Sequence, residues 1–129
     1  MNKMYQALLV LIVILMGCAS FDAITAKNRV QLNQLKIGMT KSEVLSIMGT
    51  ETINTGGEPE LVTNPYKIET FRGQSGKTYE TLFYYTDVKQ RDGVISDDEL
   101  TPIVFEDGNL IGWGNSFFSD IKRIEVRIR

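Results

Sequence analysis

Thr78-Tyr79-Glu80-Thr81-Leu82-Phe83-Tyr84-Tyr85-Thr86 decides the fold. Its aromatic and β-branched residues favour a pleated strand, and alternation puts Tyr79, Thr81, Phe83 and Tyr85 on one face. Leu82 and Tyr84 fall on the other face, so both sides are apolar and the segment reads as a central strand packed on both sides. Upstream, Tyr66 to Arg72 alternates as well, and Gly73-Gln74-Ser75-Gly76-Lys77 supplies a hairpin loop between the two. Downstream, Leu100 to Glu106 reads as a third strand, and Asp107-Gly108 turns it tightly into Asn109 to Gly114. At the C-terminus two readings stay open. Arg123 to Arg129 alternates as a last strand, while Ile121, Ile124 and Ile128 also fit a helix from Ser119.

Before the strands the period changes. Thr40 followed by Glu43 is a capping box, and Val44, Leu45, Ile47 and Met48 form one apolar face ahead of Gly49. A helix over Lys41 to Met48 is predicted. Val30, Leu32 and Leu35 suggest a short helix over Lys27 to Lys36, closed by Gly38. Residues 50–65 hold Gly56-Gly57, Pro59 and Asn64-Pro65 and read as a turn-rich connection without strand period. Two short helices ahead of antiparallel strands make an α+β pattern, expected as a two-layer sandwich with the helices on one face of the sheet.

The N-terminus carries a different signal. Lys3 precedes Ala7-Leu8-Leu9-Val10-Leu11-Ile12-Val13-Ile14-Leu15-Met16-Gly17, an uncharged run about half as long as the ~20 residues of a membrane-spanning helix. This is the layout of a secretory signal. Leu15-Met16-Gly17-Cys18 resembles the bacterial lipobox, which implies cleavage between Gly17 and Cys18 and lipid, palmitate included, on the Cys18 sulfur. Several acyl chains together anchor stably where one is marginal. The expected organisation is a signal peptide over 1–17, a tether over 18–27 and one α+β domain over 28–129.

Composition narrows the chemistry. The chain has no histidine and a single cysteine, which excludes a histidine-based triad, a histidine zinc site and an intramolecular disulfide. Its formal net charge of −2 becomes one unit more negative on loss of Lys3, so nucleic acid is not an expected partner. A non-catalytic protein is expected, with no cofactor and no small-molecule substrate. Lys27, Arg29, Lys36 and Lys41 make the segment nearest Cys18 basic, whereas residues 92–120 hold seven acidic side chains and no basic one.

Two regions are candidate partner surfaces. Asp92-Gly93-Val94-Ile95-Ser96-Asp97-Asp98-Glu99 matches the second half of a calcium-binding EF-hand loop. The first and third ligand positions would then fall on Val88 and Gln90, and valine cannot bind a hard cation, so no metal site is expected. A solvated hairpin loop and a partner-binding loop, with Asp97, Asp98 and Glu99 as contacts, both stay open. Gly112-Trp113-Gly114 with Phe117 and Phe118 is the second region, where Trp113 and Phe117 suit either an interface or the core.

Leu35-Lys36-Ile37-Gly38-Met39-Thr40, Val44 and Met48-Gly49-Thr50 resemble the start of the SmpA/OmlA (BamE-type) domain, found in small outer-membrane lipoproteins attached to the β-barrel assembly machinery. Asn64-Pro65-Tyr66 is similar to that family's proline-aromatic step into its first strand. The order of elements agrees over residues 32–112, while Glu51 departs from the usual proline. Asp97 to Gly108 also resembles a family of uncharacterised bacterial lipoproteins. These resemblances imply a periplasm-facing adaptor that binds an envelope protein in outer-membrane assembly or integrity. Ala19 after the lipidated cysteine implies delivery to the outer membrane. The fold is also similar to the repeats of secreted β-lactamase inhibitors, which implies the alternative of a periplasmic domain that binds a hydrolase.

Overall fold

A computed structural model describes residues 20–126. The signal segment 1–17, the cleavage position, Cys18 and the last three residues lie outside the described residues. Helix α1 spans Phe21–Leu32, and its N-cap Ser20 accepts from the Ala23 amide at 3.1 Å. This corrects the tether expected over 18–27 and the helix expected over Lys27 to Lys36. Ser20 starts the helix early because Phe21 and Ile24, one turn apart, pack with Phe83 and Tyr85 of the sheet. Gly38 (φ 93°) therefore sits in the connection beyond the helix and does not close it. Helix α2 covers Lys41–Met48, as expected. Both halves of its capping box form: Glu43 N–H donates to Thr40 Oγ1 at 3.2 Å, and Thr40 N–H donates to Glu43 Oε2 at 2.9 Å. Gly49 ends it at φ 89° and ψ 160°, positive in φ but extended in ψ.

The connection over 50–65 holds two strands that its sequence did not suggest. β1 (Thr52–Asn54) and β2 (Leu61–Thr63) pair antiparallel, Ile53 opposite Val62. Three residues per strand are too few to display a period, and only Val62 is fully buried. The main sheet follows with β3 (Lys67–Arg72), β4 (Thr78–Tyr85), β5 (Leu100–Glu106) and β6 (Asn109–Trp113), antiparallel in that spatial order. Asp107 (φ 47°) and Gly108 (φ 89°) both take the left-handed conformation that a two-residue turn of the primed type requires. The open C-terminal choice resolves as a helix, α3 (Asn115–Glu125), which starts earlier than Ser119. Phe118 packs edge-on against Phe83 with ring centroids 5.4 Å apart, and Lys122 Nζ lies 4.5 Å from the Phe71 ring centre.

Alternation along β4 divides the core. Leu82 and Tyr84 join Ile103, Phe105 and Leu110 beneath Val44 and Met48 of α2. Phe83 and Tyr85 join Leu100, Ile24 and Val62 on the opposite side, where Phe118 of α3 also packs. The α+β class with two helices ahead of an antiparallel sheet is the one expected, but the helices do not share one face. α2 covers the Leu82 and Tyr84 side, whereas Ile24 of α1, together with α3, covers the Phe83 and Tyr85 side, because alternation along β4 leaves both faces apolar. Each large side chain removed from water contributes about 1.5–3 kcal/mol. Tyr84 also donates its hydroxyl to the Gly49 carbonyl at 2.8 Å, tying the central strand to the helix stop.

Candidate functional site

The segment between β4 and β5 is organised around one buried carboxylate. Glu99 is 1% exposed and closes a 3-10 turn, Asp97–Glu99. Its Oε2 accepts from the Lys89 amide at 3.1 Å. Its Oε1 accepts from the Ser96 amide at 3.1 Å and the Ser96 hydroxyl at 2.9 Å. The Glu99 carbonyl meanwhile accepts from the amides of Thr86 and Asp87 at 3.0 and 3.1 Å. One residue thus clamps both ends of the acidic loop. Glu99 is therefore not a partner contact, contrary to expectation, because both its oxygens face inward onto the loop's own backbone. Asp97 and Asp98 do face solvent. Lys67 Nζ lies 2.8 Å from Asp97 Oδ1, and this bond raises the Lys67 pKa despite opposing burial. The Ser96 hydroxyl lowers the Asp98 pKa. Asp92 Oδ1 accepts from the Val94 amide at 3.1 Å and closes a turn at Asp92-Gly93. Among the described residues, no three acidic, thiol or imidazole side chains converge as a cation site.

Most of the loop's side chains are exposed, but Val88 and Ile95 are partly buried. The loop folds against the start of α1 and the tip of the β1–β2 hairpin, and a cleft of about 330 Å³ forms where the three meet. Phe21, Pro59, Tyr85, Val88, Val94 and Ile95 supply its apolar lining. The hairpin tip comes within van der Waals reach of both neighbours. A Cβ on Gly57 would lie 3.5 Å from the Phe21 ring, and one on Gly93 (φ 78°) 3.4 Å from Glu58 Cβ. Phe21 meets Tyr85 edge-on at 6.1 Å. Burial, reinforced by the Glu99 charge, pushes the Tyr85 phenol up to about 12. At the exposed rim, Arg91 Nη2 donates to both carboxylate oxygens of Asp22, at 3.0 and 2.9 Å. So exposed a pair adds little stability, though it does join the loop to α1.

Below this cleft a polar knot joins the same elements. Asn28 Nδ2 donates to the Tyr85 carbonyl at 2.8 Å and pairs with the buried Asn64, and Arg29 donates to the Thr86 carbonyl. Asn64 in turn reaches Glu51 Oε1 at 3.3 Å, which also takes Lys27 Nζ at 3.0 Å. Burial opposes ionisation of Glu51, but its backbone bond, Lys27 and Asn64 prevail and hold its pKa below the usual range.

The second expected surface does not survive as a unit. Trp113 lies opposite Ile103 and packs, half-buried, against the α2-side core. Phe117 lies over Gly112, on the other side of the sheet, with ring atoms 2.7 Å from where a Gly112 Cβ would stand. Residues four apart in sequence are separated by the sheet itself, so Trp113 and Phe117 do not form one patch. Sequence reasoning also missed Phe21, Tyr85, Val88 and Ile95 as a group. The available signal was Val88, Val94 and Ile95, apolar residues that a purely solvated acidic loop does not require.

No helix among the described residues is long and apolar enough to cross a membrane. No curated protein and no solved structure matches the chain at a significant level. A family model described as "Protein of unknown function (DUF3192)" matches residues 16–120, a span that holds Cys18, the sheet and every lining residue of the cleft. With most of its length matched, the chain belongs to the DUF3192 family.

Proposed function

We propose that this protein is a lipid-anchored, non-catalytic adaptor of the bacterial cell envelope, held to the outer membrane by Cys18 and facing the periplasm. The observation that carries this reading is Leu15-Met16-Gly17-Cys18 at the end of an uncharged apolar run. The position of the cleft agrees with it. Phe21 and Asp22, at the wall and rim of the cleft, follow Cys18 by three and four residues, so the cleft and acidic loop belong to the anchored end. Asp97 and Asp98, exposed at that end, are the loop's contacts for an envelope protein. The similarity of Leu35 to Thr50 to SmpA/OmlA domains directs the search for that protein to outer-membrane assembly.

Two measurements test the reading. Cys18→Ala should leave the domain folded but move it from the outer-membrane fraction to the soluble periplasm; retention in the membrane would exclude the lipid as the main anchor. A mild-detergent pull-down from crosslinked cells should recover barrel-assembly proteins. A single tightly held hydrolase would instead favour the inhibitor alternative.

A further inference from the structure

The cleft lies within reach of the only apolar group that the proposed processing would attach to this chain. Cys18 precedes Phe21, which lines the cleft, by three positions in the sequence, and at ~3.6 Å per extended residue that stretch of chain spans at most about 11 Å. Val94, 64% exposed, and the partly buried Val88 and Ile95 present an apolar surface toward this space that no described side chain covers. The lining carries no buried polar atom in need of a partner: among the described residues only Thr81 Oγ1, away from the cleft, lacks one. An aliphatic chain suits such a lining better than a polar ligand does. At the rim Arg91 is paired with Asp22, and Glu58, which also borders the cleft, is exposed, so its carboxylate keeps its water while the apolar lining faces the chain.

We infer that the cleft holds one ester-linked acyl chain of the diacylglyceryl group on Cys18, so that the domain grips its own lipid while the remaining acyl chains stay in the bilayer. This rests on the lipidation reading above. Its consequence is a fixed domain orientation, with the α1 start, the hairpin tip and the acidic loop pressed to the membrane surface. Withdrawing one chain from the bilayer also weakens anchorage toward the reversible regime of fewer chains.

The test uses the full chain in intact cells, with Val94 replaced by the photocrosslinker p-benzoylphenylalanine, and the exposed Ile124 of α3, which does not line the cleft, replaced likewise as control. After irradiation and trypsin, peptide 92–122 should be found joined to the lipid-bearing peptide 18–27. Mild alkali cuts acyl esters and should separate the two, leaving a fatty-acid mass on 92–122. In the Ile124 variant its own peptide, 124–127, should not be joined to 18–27. A 92–122 peptide joined to phospholipid, or to 18–27 through an alkali-stable bond, or to nothing, would overturn the inference while leaving the anchor intact. A peptide 18–27 with no lipid mass would overturn the anchor itself, and the inference with it.

Discussion

Glu99→Ala removes the acceptor for two backbone amides and one hydroxyl at once, those of Lys89 and Ser96 and the Ser96 side chain. Hydrogen bonds to a charged group contribute about 1.5–3 kcal/mol each, and a buried donor left unsatisfied costs a similar amount. Simple addition overstates the loss, because Lys89 and Ser96 are themselves exposed residues and their amides regain water if the loop opens. A net loss of about 3 kcal/mol follows, which for a domain of this size lowers Tm by roughly 10–15 °C. Glu99→Gln keeps one carbonyl acceptor but turns an NH2 toward a former donor, so it should lose about half as much. Thermal unfolding measures the total, and hydrogen exchange locates it. Protection at Lys89 and Ser96 should fall to loop values in Glu99→Ala while amides in β4 and β5 slow as before relative to the new Tm. If Tm moved by less than about 2 °C and both amides kept their protection, the clamp would not organise the loop.

Other expectations follow from the same contacts. Gly49→Val should destabilise by about 2–3 kcal/mol, read by denaturant titration, since a β-branched residue resists φ 89° and its Cβ would meet Glu51 Oε2 at 2.2 Å. Gly112→Leu should cost about 1–3 kcal/mol and detach α3, seen as lost near-ultraviolet dichroism of Phe117 and Phe118; full retention of both would show that α3 packs loosely. Burial pushes the phenols of Tyr79 and Tyr85 up to about 12 and that of Tyr84 higher still. Folded pKa values above the unfolded value of about 10 mean that this stabilisation is complete below pH ~10 and is lost as pH rises through about 12. Ionisation of Tyr79, Tyr84 and Tyr85, followed by their ring NMR signals, should therefore accompany unfolding; ionisation of these three near pH 10 with an unchanged fold would refute it.

The elements that were legible in the sequence are those whose causes lie within a few consecutive residues. The capping box of Thr40 and Glu43, the two-sided alternation of Thr78 to Thr86 and the Asp107-Gly108 turn need no distant partner, and each forms where expected. The same holds for the α+β class, because helices ahead of hairpin-linked strands leave few ways to bury both patterns. What tertiary structure decided rests on contacts far apart in the chain. Phe21 belongs to a helix because Tyr85 and its neighbours, some sixty residues on, give that helix a surface to cover. The β1–β2 hairpin exists through pairing of strands too short to announce themselves. Trp113 and Phe117 part company because adjacent strand positions face opposite sides of the sheet. Glu99 looks like its exposed acidic neighbours until the loop closes around it, and only then does burial turn the carboxylate from a surface charge into the loop's clamp. A residue's type and spacing state what it can do, but which water it loses is settled by the chain that returns to cover it.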